Sequence, residues 1–230
     1  MPDWVEPVAR YMAEVGLKGT LRIAAFAVVG SAVIGVVLGT LLTIRFRPAQ
    51  ALIRLYIEVW RGLPIIVTIF IIFFVVPVFG TQFQFDPFTA AWIGLMLWGS
   101  AQVAEATRGA VESIPREQHE AAAALGFGWL GRHAFVILPQ AMRRLLPPFV
   151  SLLVNIIQNT TLAQVLGAAE LLETGERSVE RLTAPSVGPN GEFIPGEVHA
   201  FEIYGAVMVV FFVISFPLTR LAAYLERRLI

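Results

Sequence analysis

The sequence predicts an all-α membrane protein folded as a single domain over residues 1–230, and three observations carry that prediction. Of its residues 57% are hydrophobic and 15% charged, with a mean hydropathy of +0.71, a balance that water-soluble domains do not show. Uncharged apolar runs recur at 23–44, 62–85, 87–104, 145–169 and 203–219, each close to the ~20 residues that cross a bilayer core as a helix. Between the third and fourth runs stands a long interruption whose composition is that of helix rather than loop.

Taken in order, the five expected transmembrane helices cover 20–45, 52–80, 87–110, 145–169 and 201–225, with the N-terminus outside and the C-terminus inside. The first run is too long for the apolar part of a cleaved signal peptide and follows mostly polar residues, so it is expected to remain in the mature chain. Gly30, Gly35 and Gly39, with Ala24, Ala25, Ala27 and Ala32, give it a small-residue surface suited to close helix packing.

The second helix is expected to begin near Leu52, ahead of its uncharged run, and to carry Glu58 and Arg61 in its first turns, with Pro64 and Pro77 as kink points. A straight helix with a rise of about 1.5 Å per residue places these two charges roughly 9–14 Å into the bilayer core. At that depth ionisable groups face a protein interior or a watery cavity. Two readings stand for Glu58 and Arg61: a gate or cavity wall, or an ion pair that holds helices together. Glu105 and Arg108 share the three-residue spacing and are read as structural.

The interruption covers 113–144. Alanines at 121–124 favour helix, Pro115 suits a first turn, and Gly126 and Gly128 end it; a second short helix then runs over about 129–138, stopped by Pro139. This is the design of a docking element. The rival is an amphipathic helix lying on the membrane, but the polar face mixes signs (Arg116, Glu117, Glu120) where anionic lipid favours a basic one.

The fourth helix carries Asn155, Gln158, Asn159, Thr160, Thr161 and Gln164 in an otherwise apolar run, the first three sharing one face. Such groups must find hydrogen bonds inside a membrane, either as interhelical glue or as the lining of a polar cavity. The segment 170–200, expected outside, holds Pro185, Gly188, Pro189, Gly191, Pro195 and Gly196 and reads as turns. Orientation follows the arginines. They balance around the first helix but gather at Arg108, Arg116, Arg132, Arg143, Arg144, Arg227 and Arg228, which puts 113–144 and the C-terminus in the cytoplasm.

Several functions are excluded. A formal net charge of zero gives no basic surface for nucleic acid. Cysteine is absent, the three histidines lack metal-ligand spacing, and H-E-x-x-H fails because position 123 is Ala123, so no metal site is expected. An intramembrane hydrolase lacks a base, since no histidine lies in a span beside Ser100, Ser151 or Ser215. With Lys18 as the single lysine there is no P-loop. Energy for active transport then comes from a partner that pushes on the cytoplasmic interruption.

Glu120-Ala121-Ala122, Gly126 and Val136-Ile137-Leu138-Pro139 resemble the E-A-A-x-x-x-G-x9-I-x-L-P motif of permease subunits of ATP-binding-cassette (ABC) importers. Tyr56 to Pro64, Ala104 to Gly109 and Ser113-Ile114-Pro115 narrow the resemblance to polar amino acid permeases, the group serving histidine, arginine, glutamine and glutamate; it covers about 17–170 and the last helix. The resemblance implies an ATPase-coupling role for Glu117, Glu120, Ala121, Ala122, Gly126, Leu138 and Pro139. It implies a substrate path through Glu58, Arg61, Pro64, Gln102, Asn155, Gln158, Asn159, Thr160 and Thr161.

The implied partners are two ABC ATPase subunits, a second permease (identical or paralogous), an extracytoplasmic amino-acid-binding protein and membrane lipid. ATP and Mg belong to the ATPase and no cofactor to this chain. The implied location is the cytoplasmic (inner) membrane of a prokaryote. Two departures stand out. Leu63 replaces the family's threonine, and Gln158 replaces its lysine, pointing either to a cargo of different charge or to a non-binding half of a heterodimer. Two alternatives stay open: a permease for another small polar solute, and an ion-coupled secondary transporter, although this sequence lacks the internal repeat that such proteins often show.

Overall fold

The computed structural model describes residues 2–43, 46–187, 190 and 192–229. Among these residues eight helices of more than one turn follow one another, with a short 3-10 turn at Thr81–Phe83 besides: α1 (Val5–Leu41), α2 (Arg47–Gly62), α3 (Ile65–Phe79), α4 (Pro87–Glu112), α5 (Arg116–Ala124), α6 (Trp129–Leu166), α7 (Leu171–Thr183) and α8 (Ala200–Leu229). A two-residue ribbon, β1 (Ser186–Val187) against β2 (Phe193–Ile194), is antiparallel and joins α7 to α8. Gly188, Pro189 and Gly191, assigned above to turns, lie outside the described residues, as do Ile44 and Arg45 at the expected end of the first span.

By length and composition α1, α6 and α8 can each cross a membrane, and α2 with α3 makes a fourth if the bent pair is one span. The 26-residue α4 is long enough but less apolar, for a physical reason. It packs against α1, α2, α3 and α6, and its buried positions are mostly small: Ala90, Ala91, Gly94, Gly99, Ala101 and Ala104 among them. Where neighbouring helices rather than lipid cover a helix, close approach favours small residues over bulky apolar ones.

The α1–α4 contact shows this at atomic scale. A Cβ placed on Gly35 would stand 2.4 Å from Val103 Cβ and 2.7 Å from the Ser100 carbonyl oxygen, and one on Gly39 would stand 2.4 Å from the Ala104 carbonyl oxygen. The G-x-x-x-G pair is therefore spent on packing within the subunit.

Five sequence expectations need correction. The first helix starts at Val5, not near 20, continuing through a wide i→i+5 turn at Met12–Leu17. Met12 and Gly16 are buried there while charged neighbours stay exposed, so an amphipathic start precedes the apolar run. The second span, expected as one helix over 52–80, breaks: α2 and α3 meet at 107°. Pro64 lacks an N–H and disfavours helix at Leu63, and both residues are extended.

Pro139 does not stop the helix expected over 129–138. It sits at the start of a regular stretch that follows the wide turn His133–Ile137, where its missing N–H falls at a change of hydrogen-bond register. The helix then runs on to Leu166, so the expected start of the fourth span at 145 is also too late. Lastly, the segment 170–200, expected outside, is not turns throughout, because α7 fills 171–183. Leu171, Leu172, Val179 and Leu182 pack with Met12, Ile203 and Val207, a helical stripe hidden in a charged stretch.

Glu170 caps α7. Fully buried, its carboxylate accepts from the backbone N–H of Leu172 at 3.0 Å and Glu173 at 2.7 Å and from the Thr20 hydroxyl of α1 at 3.4 Å. Burial raises this carboxyl above the ordinary glutamate range in spite of those bonds. A group that holds its proton more tightly folded than unfolded contributes most to stability below its unfolded value. That contribution is lost as pH rises through the folded value. Glu170→Gln is expected to flatten the loss: between about pH 4 and 7, the melting temperature in detergent falls less for the variant than for the parent.

Candidate functional site: the exposed α5 helix and a polar groove between α4 and α6

The nine-residue α5 begins after Pro115, with Glu117 in the first turn where the helix dipole favours an anion. Glu117, Glu120, Ala121 and Gly126 are exposed, while Ala122 is buried. Arg116 pairs with Glu120 at 2.7 Å. The helix ends in a paired cap: Gly126, at φ +86°, donates to the Ala123 carbonyl and Phe127 to the Ala122 carbonyl. Leu138 is half-buried and Pro139 exposed. Across the fold Gln140 donates to Gln118 at 3.3 Å, joining α5 to the body of α6.

Under α5 lies an open groove of about 820 Å³ lined by Thr43, Arg116, His119, Glu120, Trp129, Arg132 and His133, among others. Burial, then the neighbouring Arg132 and His133, hold the His119 imidazole below the ordinary histidine range. Sequence reasoning missed Thr43, Trp129 and His133. The available signal was the four-residue spacing of Trp129 and His133, one turn of helix; nothing local pointed to Thr43.

A second groove, of about 530 Å³, lies between α4 and α6 and is lined by Trp98, Gln102, Phe149, Ser151, Asn155 and Asn159, among others. Asn155 donates its amide to the Ser151 carbonyl at 3.1 Å and Asn159 to the Asn155 carbonyl at 2.7 Å. Their side-chain oxygens accept no hydrogen bond among the described residues, which leaves acceptors for a ligand.

The structure thus brings together Gln102, Asn155 and Asn159 of the expected path. Gln158 is exposed off the groove, buried Thr160 bonds the Ile157 carbonyl, and Thr161 bonds that of Gln158.

Glu58, Arg61 and Pro64 line neither groove. The depth expected for Glu58 and Arg61 assumed a straight helix and does not hold once α2 turns from α3 by 107°. Both are exposed, and among the described residues they do not pair with each other. Arg108 instead bonds both Glu105 and Glu112. What α2 buries is Ile57, and its Tyr56 hydroxyl meets Ser100 of α4 at 2.6 Å.

Long apolar helices able to cross a membrane, with a short exposed helix between two of them and a polar groove between α4 and α6, make the class a membrane protein of transport type, and the family match specifies it as a permease subunit. Residues 31–230 match the family described as binding-protein-dependent transport system inner membrane component, and the chain belongs to that family. It is a non-catalytic membrane component of such a system.

The chain is 36% identical over 229 residues to the glutamine transport system permease protein GlnP of Escherichia coli K12, covering 99% of this chain and 97% of that one. It is 29% identical over 214 residues to the probable glutamine ABC transporter permease protein GlnM of Bacillus subtilis 168, covering 93% and 91%. Among solved structures it resembles an amino acid ABC transporter crystallised with histidines, at a TM-score of 0.78 and 25% identity over 99% of both chains. The inward-facing MetNI methionine ABC transporter, at 0.74 and 17% over 96% and 98%, shares the fold.

Proposed function

We propose that this chain is the permease subunit of an ATP-driven importer for a polar amino acid with an uncharged side chain, glutamine being the first candidate. The observation that carries the reading is the groove in which Gln102, Asn155 and Asn159 converge between apolar helices, in a chain 36% identical to a glutamine permease. Amides in this setting suit an ammonium, a carboxylate and a neutral amide. No charged side chain is among the described residues that line the groove, which suits a cargo with a neutral side chain, and Gln158, where the family has lysine, is exposed off the groove.

In this reading α1, α2 with α3, α4, α6 and α8 form five spans of one domain, N-terminus outside and C-terminus inside, with 113–144 in the cytoplasm and 170–200 outside. The functional unit pairs the chain with a second permease, identical or paralogous, two ABC ATPase subunits that hold ATP and Mg, and an extracytoplasmic binding protein. Glu117, Glu120, Ala121, Ala122 and Gly126, with Leu138 and Pro139 behind them, receive the ATPase. Gln102, Asn155, Gln158, Asn159, Thr160 and Thr161 line or support the path, and Glu58, Arg61 and Pro64 border its cytoplasmic mouth. ATP acts because it binds the two states of the assembly with different affinity.

Uptake by proteoliposomes tests the reading. With binding protein and ATPase present, Asn155→Leu is expected to lower uptake roughly tenfold, the effect of losing a ligand hydrogen bond worth about 1–1.5 kcal/mol, while the ATPase still copurifies. Uptake that persists without any ATPase subunit rejects the importer reading in favour of a secondary transporter.

A further inference from the structure

His133, 4% exposed, sits where three elements meet. Its Nδ1 lies 2.9 Å from the Trp129 carbonyl oxygen, and its Nε2 lies 3.1 Å from Thr43 Oγ1, just past the end of α1. Trp129 stacks on the ring at 4.3 Å between centroids, and His119 of α5 approaches edge-on at 6.1 Å. Thr43 Oγ1 in turn lies 2.7 Å from the Thr40 carbonyl oxygen. We propose that His133 is a positioning residue for transport: its bridge from Trp129 to Thr43 passes displacement of the α5 region on to α1. The proposal rests on the importer reading above.

Proton counting gives the bridge a signature. A carbonyl oxygen only accepts, so Nδ1 carries a hydrogen. In the neutral ring Nε2 is then bare, and Thr43 must turn its single hydroxyl proton toward it, giving up the Thr40 carbonyl. In the charged ring Nε2 donates to Thr43, whose proton serves Thr40, and all three contacts coexist. The charged and titratable groups around the ring are Arg116, His119 and Glu120 from α5 and Arg132 from α6, while the end of α1 brings only Thr40 and Thr43 among the described residues. Burial of the ring, then the neighbouring Arg132, opposes its charged form, while Arg116 is paired with Glu120, so acid tightens the bridge and alkali loosens it.

The experiment measures uptake per ATP hydrolysed in proteoliposomes that hold the whole transporter, across about pH 6 to 8. Thr43→Val removes the hydroxyl at nearly constant shape and is expected to lower the ratio about fivefold, leave basal ATP hydrolysis unchanged and abolish its decline with pH. Thr43→Ser is expected to keep both the ratio and the decline. If the valine variant does not fold, Thr43→Ala supplies the same comparison. A ratio and pH slope in Thr43→Val equal to those of the parent overturn the bridge alone, provided that the parent shows ATP-dependent uptake. No such uptake by the parent overturns the importer reading and the bridge with it.

Discussion

Glu120→Arg is expected to strip the ATPase subunits from the purified permease, lowering their copurification at least about tenfold. The side chain is 62% exposed and, among the described residues, pairs with Arg116, one turn earlier. Reversing its charge sets two cations side by side, which costs an exposed helix only about 0.2–0.5 kcal/mol. The fold survives, while a partner surface that met a carboxylate now meets a cation, and like charges brought together at an interface cost several kcal/mol.

Gly126→Trp reaches the same end by shape. A side chain at φ +86° is strained, yet a Cβ there meets nothing within 4 Å, so the cost to the subunit is about 1–2 kcal/mol and the indole projects outward. Affinity copurification, with size exclusion to show that the permease remains monodisperse, reads both variants. Undiminished ATPase in both would remove α5 as the docking element.

The second large effect is one of opposite signs. Gly35→Ala is expected to destabilise the permease, and Gly205→Ala to stabilise it, although both replace a glycine inside a helix. Alanine is intrinsically better than glycine in a helix by about 1 kcal/mol, and at Gly205 a Cβ has open space around it. At Gly35 the same atom meets Val103 Cβ at 2.4 Å and the Ser100 carbonyl at 2.7 Å. Helices α1 and α4 must then separate along their contact, and overpacking of this kind costs about 1–3 kcal/mol. Thermal unfolding in detergent should move the two midpoints in opposite directions. A rise in both would mean that α1 and α4 do not pack as closely as described.

Unbroken apolar runs made much of the bundle legible. The apolar runs at 87–104 and 203–219 lie within α4 and α8, because lipid-facing and protein-facing positions are apolar alike in a membrane helix. The ends of α5 were legible too, since Pro115 and Gly126 mark them through their backbone geometry alone. Prolines were harder to read. Pro64 breaks the chain by 107° while Pro139 leaves its helix unbroken, and the residue itself is the same. What differs is the hydrogen-bond register just before it, which packing sets.

The sequence by itself determined the all-helical membrane class, the permease family motif and the ends of α5, since composition, spacing and local backbone preference are properties of the chain. Tertiary structure decided which polar residues meet. Gln102 joins Asn155 and Asn159 because α4 lies against α6, Gln158 falls off that face, and Glu58 and Arg61 leave their expected depth when α2 swings away. His133 finds Thr43 only because the end of α1 returns to the start of α6. Such encounters depend on helix crossings and bends, and no local pattern of residues encodes the direction in which a distant helix will pass.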